Sequence, residues 1–162
     1  MRNTDFINII TAAAAHSRLS KTALFIQHGS TPCLLHCIAV AYYCYRLAEH
    51  FKPLKSHETE LVRGALLHDY FLYDWHIPDK SRPMHGRYHP GAALKNAEQD
   101  FDLSDRERDI IKKHMFPLTL TPPAYKESFL VCLVDKGCSI FARKAYKNRQ
   151  IREAFERIRE KN

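Results

Sequence analysis

Apolar residues recur at three- and four-residue intervals along almost the whole chain, which is the periodicity of helices packed against a core. A first helical region is predicted over about 4–27, with the run Ala12–Ala15 inside it and Gly29 as its stop. Pro32 opens a second helix that reaches about Phe51, and Pro53 follows its end. Ser56, with Thr59 and Glu60 nearby, starts a third that carries Leu61, Ala65, His68 and Leu72 on one face. The stretch IPDKSRPMHGR (77–87) reads as a polar loop, and Pro90 then falls in the first turn of a helix running through Ala97. Ser104 caps a further helix ending near His114, before Pro117. PLTLTPP (117–123) is not helical, a long helix spans roughly Ala124–Tyr146, and Ile151, Phe155 and Ile158 give the last helix its apolar side. The expectation is an all-α, single-domain bundle of about six to seven helices over 1–162, with 147–162 as a C-terminal helix.

Composition agrees and narrows the setting. The 162 residues suffice for one hydrophobic core, and 45% hydrophobic with 27% charged residues is a globular balance. No stretch approaches the roughly 20 apolar residues of a membrane span, so no membrane partner is expected. Met1–Ile10 carries Asp5 and Asn8 where a secretion signal needs an unbroken apolar core. The five cysteines form no CxxC pair and lie within apolar helical patterns, which predicts reduced thiols and a cytoplasmic location. The net charge of +7 suits anionic ligands without choosing among them.

The informative feature is polar. In GALLHDYFLYDWH (64–76), His68 and Asp69 sit inside a run that looks buried. Burying such groups costs about 2–7 kcal/mol for a polar group and more for a charge unless something pairs with them. The helical period places other ionisable residues likewise. His36 shares a face with Cys33, Val40 and Tyr43; His114 follows Ile110 and Ile111; Asp135 is in line with Val131 and Cys132; His89 stands just before Pro90. One buried histidine is ordinarily a hydrogen-bonded core residue, and one buried Asp a cap or ion-pair partner. Six converging in one small bundle point to a divalent metal, whose charge offsets the carboxylates while the imidazoles bind neutral. The donors are all nitrogen and oxygen, which disfavours thiolate zinc and iron–sulfur sites and leaves iron, manganese, zinc or magnesium.

The ordered set His…His-Asp…His…His…Asp resembles the HD superfamily of metal-dependent phosphohydrolases over about 28–139. It is carried by HGSTPCLLHCIAVAYYCYRLAEH around His36, GALLHDY around His68-Asp69, HGRYHPGAALKNA around His89, IIKKHM at His114 and LVDKGCS at Asp135. The resemblance implies an HD-type helical bundle with its core motif region at 28–146. It implies that His36, His68, Asp69 and Asp135 hold one metal, with the His68-Asp69 doublet at the catalytic centre. Asp69 would bridge to a second ion held by His89 and His114, as in HD enzymes with two ions. Iron or manganese is expected first, with zinc, magnesium, nickel or cobalt as alternatives. HD nucleoside monophosphatases carry Glu three positions after the doublet's Asp, where this chain has Leu72, and no GYP follows Asp135.

Further residues are candidates for substrate contact. His85 competes with His89 as ligand and is otherwise placed at the pocket rim; His28 contacts substrate or caps the first helix. Arg87, with Lys80 and Arg82, belongs to the loop before His89, where a lid over an anion is expected. Lys136 follows Asp135 and can meet a phosphate. Asp74 is an acid–base candidate, and Tyr70, Tyr73 and Trp75 are either ring-stacking groups or core. The expected reaction is hydrolysis of a phosphate ester or anhydride of a small phosphorylated or nucleotide substrate. The rival readings are a dinuclear-iron oxygenase-type HD enzyme, a nucleotide- or metal-sensing module, and an RNA-binding domain. The last is disfavoured by scattered basic residues and the lack of a nucleic-acid motif.

Overall fold

The computed structural model describes residues 3–15, 17–79 and 84–160, the side chains of Asn3, Thr4, His28, His85, Ala142 and Arg143 excepted. The chain runs α1 (Asn3–Ala14), a 3-10 helix (Leu19–Leu24), β1 (Ile26–His28), β2 (Thr31–Pro32), α2 (Cys33–His50), α3 (Lys52–Lys55) and α4 (Glu58–Leu67). It continues through α5 (His85–Asp100), α6 (Asp105–Lys113), α7 (Lys126–Ile140), α8 (Ala142–Ala145) and α9 (Arg149–Arg159). Seven of these helices have nine residues or more among the described residues, as the periodicity predicts.

α2 is buried on nearly every side, from Cys33 and Leu34 through Val40 to Ala48. It serves as the axis, packed against α4, α7 and α9, while α6 closes on α4, α5 and α7. The α4–α6 approach is close because Gly64 has no side chain: a Cβ there would stand 2.6 Å from Ile110 Cδ1 and 3.1 Å from its Cβ. Ser104 caps α6 as predicted, with a reciprocal pair in which Glu107 N donates to Ser104 Oγ (3.2 Å) and Ser104 N to Glu107 Oε2 (2.8 Å). Asn148 caps α9, whose Ile151, Ala154, Phe155 and Ile158 are buried.

Several boundaries differ from the periodicity, each for a local reason. The region 4–27 is not one helix: Ser17 Oγ donates back to Ala13 O (2.9 Å) and accepts from Leu19 N (3.3 Å), diverting the backbone as α1 ends. Gly29 is not a helix stop but the left-handed residue (φ 58°) of the turn joining antiparallel β1 and β2. The helix of Leu61 and Ala65 ends at Leu67, so Leu72 lies beyond it in a non-helical segment. α5 begins at His85, which puts Pro90 inside the helix and His89 one turn in rather than at its mouth. The long 124–146 helix is broken at Phe141.

Two polar anchors hold the non-helical segments. Asp100, at the end of α5, accepts from Arg18 Nε (2.9 Å) and from the Tyr70 hydroxyl, while Asn96 Nδ2 donates to Tyr70 O (3.0 Å). The residue after Asp69 is thereby fastened to α5. Asp109 receives Ala124 N (2.9 Å) and Ser128 Oγ (2.7 Å), and pairs with Lys113 Nζ (2.6 Å), which seats the 117–123 segment and the start of α7 on α6.

Gly64→Ala is expected to lower stability by about 1–3 kcal/mol through overpacking, read as a shifted urea midpoint. Burial pushes the Asp109 carboxyl up, but its bonds from Lys113, Ser128 and Ala124 outweigh this and hold it below its ordinary value. A carboxyl lowered in the fold contributes stability above its unfolded value, near pH 3.9, and loses it as pH falls through the folded value. Asp109→Asn is therefore expected to cost about 1.5–3 kcal/mol at pH 7. Urea melts of the two proteins should converge as pH drops below about 4.

Candidate metal centre

The last carbonyls of a helix lack intrahelical partners, and this chain twice places a histidine there. His68 is the residue after α4 and His114 the residue after α6. Each donates its Nδ1–H to the carbonyl three residues back, Ala65 O at 2.7 Å and Ile111 O at 2.8 Å. That bond ends the helix, sets the tautomer and leaves the Nε2 lone pair pointing away from the backbone. The doublet His68-Asp69 is thus the stop of α4 and the start of the centre in one step.

The remaining donors arrive from other elements. His36, in the first turn of α2, has Nε2 2.9 Å from Asp135 Oδ1 on α7 and Nδ1 2.9 Å from the Tyr146 hydroxyl. The Tyr146 hydroxyl also donates to Cys138 O (3.4 Å), so toward His36 it accepts. His89 on α5 lies with Nε2 2.8 Å from His114 Nε2. Asp69 stands between the two groups. Its Oδ2 is 3.3 Å from His68 Nε2 and 3.8 Å from His36 Nε2, while its Oδ1 is 3.0 Å from His89 Nε2 and 3.4 Å from His114 Nε2.

Metal–nitrogen and metal–oxygen bonds of about 2.0–2.2 Å put neighbouring ligand atoms about 3.0–3.4 Å apart. The ligand atoms of His36, His68 and Asp69 lie within 4.8 Å of one another, as do those of Asp69, His89 and His114, close enough for small side-chain shifts to bring each group onto one ion. Among the buried atoms without a hydrogen-bond partner are His68 Nε2 and Asp69 Oδ1. Leaving each so costs about 1–3 kcal/mol, which a cation between the groups relieves. Because His114 Nδ1–H is committed to Ile111 O, its Nε2 faces His89 as a lone pair that accepts from His89 Nε2 and is free to ligate when that proton leaves. The donor set fits divalent metal ions.

The charges agree. Burial pushes Asp69 up, but the surrounding His68, His89 and His114 imidazoles hold it well below the usual carboxylate range. Asp135 is likewise held far down by His36 and His68 against its burial. Burial lowers His114, whereas in His68 the neighbouring Asp69 outweighs burial and raises it well above an ordinary histidine. Two ionised carboxylates thus share a buried space with four imidazoles, all six side chains nearly inaccessible to solvent.

Asp69, His89, His114 and Asp135 form one wall of a cavity of about 430 Å³ that is also lined by Trp75, Met115 and Ile140. Lys136 lines it too, its Nζ donating to His114 O (3.3 Å) and Cys132 O (3.2 Å). The six predicted ligands are therefore brought together, with Lys136 beside them. Asp74 is not: it is exposed, does not line the cavity, and its Oδ1 accepts from His76 N at 2.9 Å. Arg87 is exposed and lines a separate hollow with Lys112 and Lys113. The side chains of His28 and His85, and Lys80 and Arg82 entirely, lie outside the described residues. Tyr70 is core and Tyr73 half-buried, while Trp75 reaches the cavity with its Nε1 donating to Ile26 O (3.0 Å).

Two residues at the centre are absent from the sequence-based set. Tyr146 supports His36, and Gln27 donates from Nε2 to Asp69 Oδ2. Gln27 lies in the stretch that periodicity assigns to a helix, and Tyr146 at the end of one. No local pattern marks either.

The five cysteines are free and buried, and none of the described helices is long and apolar enough to cross a membrane. Comparison with protein families matches residues 34–152 to the HD domain. No curated protein and no solved structure matches the chain.

Adding manganese or zinc to chelator-stripped protein at about a hundred times its dissociation constant is expected to stabilise it by about 2.7 kcal/mol. That is about 5–10 °C in melting temperature for a chain of this length. Asp69→Asn should abolish most of the shift, because it halves the anionic charge and replaces one of the two oxygens that face the ligand groups with an amide nitrogen that cannot ligate.

Proposed function

We propose, starting from the fact that the chain belongs to the HD domain family, that it is a phosphohydrolase using two divalent ions to cleave a phosphate ester or anhydride of a small substrate. The observation that carries this reading is the orientation of Asp69, one oxygen toward His36 and His68 and the other toward His89 and His114, at the wall of a substrate-sized cavity. His36, His68, Asp69 and Asp135 would hold one ion, and Asp69, His89 and His114 the other. Nitrogen and oxygen donors suit iron or manganese and accept zinc, magnesium, nickel or cobalt. When bound, such a pair supplies Lewis acidity that lowers the pKa of water and offsets the charge of the phosphoryl transition state.

The chain's own residues do the rest. His68 and His114 are pre-oriented by helix-end carbonyls, and His36 by Tyr146, so the ligand geometry exists before substrate arrives. Lys136 is pinned by two carbonyls at the cavity wall and carries its charge where a phosphate would lie. Trp75, Met115 and Ile140 line the same cavity and would give a bound substrate apolar contacts.

The test is hydrolysis by manganese- or iron-loaded protein across phosphomonoesters, phosphodiesters and nucleotides, read as product formation by chromatography, because a diester yields a monoester and an alcohol and no free phosphate. Activity should appear against at least one class and fall by about a thousandfold or more in Asp69→Ala. Lys136→Met should raise KM about 10–100-fold, the loss of one charge-assisted contact, with kcat changed far less. Silence across the whole panel, or full activity in Asp69→Ala, refutes the reading.

A further inference from the structure

Among the described residues, Gln27 is the polar side chain that β1 brings to this centre, and the backbone leading into it is fastened at two consecutive carbonyls. Phe25 O accepts from Cys33 N (2.8 Å), and Ile26 O from Trp75 Nε1 (3.0 Å). The side chain is buried, its Nε2 donates to Asp69 Oδ2, and its Oε1 is buried with no hydrogen-bond partner. Asp69 is also held through its main chain, whose carbonyl accepts from Cys33 Sγ (3.2 Å). The hairpin and the first turn of α2 therefore grip Asp69 at both ends.

The terminal torsion of an aspartate is broad and roughly two-fold, so an unheld carboxylate can swing both oxygens toward one ion and chelate it. A donor fixed on Oδ2 removes that freedom. A carboxylate oxygen has two lone pairs, so Oδ2 can accept from Gln27 and still offer one toward His68 and His36, at 3.3 and 3.8 Å. Oδ1, without a hydrogen bond, stays turned to His89 and His114 at 3.0 and 3.4 Å. We propose that Gln27 is the positioning residue that keeps Asp69 spanning the two ligand groups, and so sets the capacity of the centre for two divalent ions instead of one. This rests on the dinuclear reading above. The unpartnered Oε1 supports it, because a side chain present only to fill space would carry no buried acceptor.

Calorimetric titration of metal-free protein with manganese tests this without any assay of turnover, in wild type, Gln27→Met and Gln27→Asn. The Met variant keeps the length and loses the amide. The Asn variant keeps an amide too short to reach Asp69, and serves if the Met variant does not fold. Wild type should take two ions per chain. Both variants should bind the first within about threefold of wild type and the second about 10–100-fold more weakly, the usual effect of removing an outer-shell partner. The paramagnetic resonance signal of a coupled manganese pair should be lost at concentrations that saturate wild type. Two ions bound by the variants as in wild type, or both weakened equally, overturns the role of Gln27 and leaves the dinuclear centre standing. A single ion in wild type removes both together.

Discussion

A carboxylate with almost no access to water, Asp69, has to be reconciled with the apolar bundle that encloses it. The desolvation of a lone ion is so costly that such a group ordinarily neutralises. Here it is kept ionised by imidazoles on four sides, and the donors that surround it come from α2, α4, α5 and α6, with β1 supplying Gln27. Each of those segments must arrive at its proper depth. The close α4–α6 approach at Gly64 and the fastening of Tyr70 to α5 through Asp100 and Asn96 are conditions for it. The core is arranged around a polar point, and its packing is what makes the point tolerable.

Helix ends do much of the positioning. A histidine in mid-helix has to reach its target by rotamer alone, whereas one at the C-terminal cap borrows an orphan carbonyl to lock its ring. His68 and His114 use the same device on two helices, and their Nε2 atoms converge on Asp69 as a result. α4 stops at the same point, where Ala65 O, the acceptor of Asp69 N in a continuing helix, receives His68 Nδ1–H instead. A short polar dipeptide in an apolar run is therefore both a structural stop and a source of ligands.

Much of this was legible in the sequence. The three- to four-residue period puts His36, His114 and Asp135 on apolar faces, and the structure buries all three. The Ser104 cap is local chemistry and is found where the pattern places it. The hairpin was not legible, because β1 has three residues and β2 two, too few for a two-residue alternation to show. Gln27 and Tyr146 were hidden for another reason. Their partners Asp69 and His36 lie 42 and 110 residues away along the chain, and only the assembled fold brings them together. The basic charge misleads in the same way: Arg18, Arg63 and Arg106 pair with Asp100, Glu107 and Glu127 within the bundle, and among the described residues Lys136 is the cation that lines the cavity.

The unpartnered atoms bear on how the fold and the ions depend on each other. His68 Nε2 and Asp69 Oδ1 weaken the metal-free bundle by design of position, since each is fixed by a neighbour that cannot turn away. Ligands held in place before binding lose little freedom when an ion arrives, so more of the coordination free energy appears as affinity. The cost is borne by the folded chain instead, which retains unpartnered polar atoms at its centre. An apolar bundle of this size does not need such a centre for stability, and replacing buried ionic groups by packed side chains is often neutral or stabilising. The arrangement is better understood as binding energy stored at the wall of a cavity than as part of what holds the helices together.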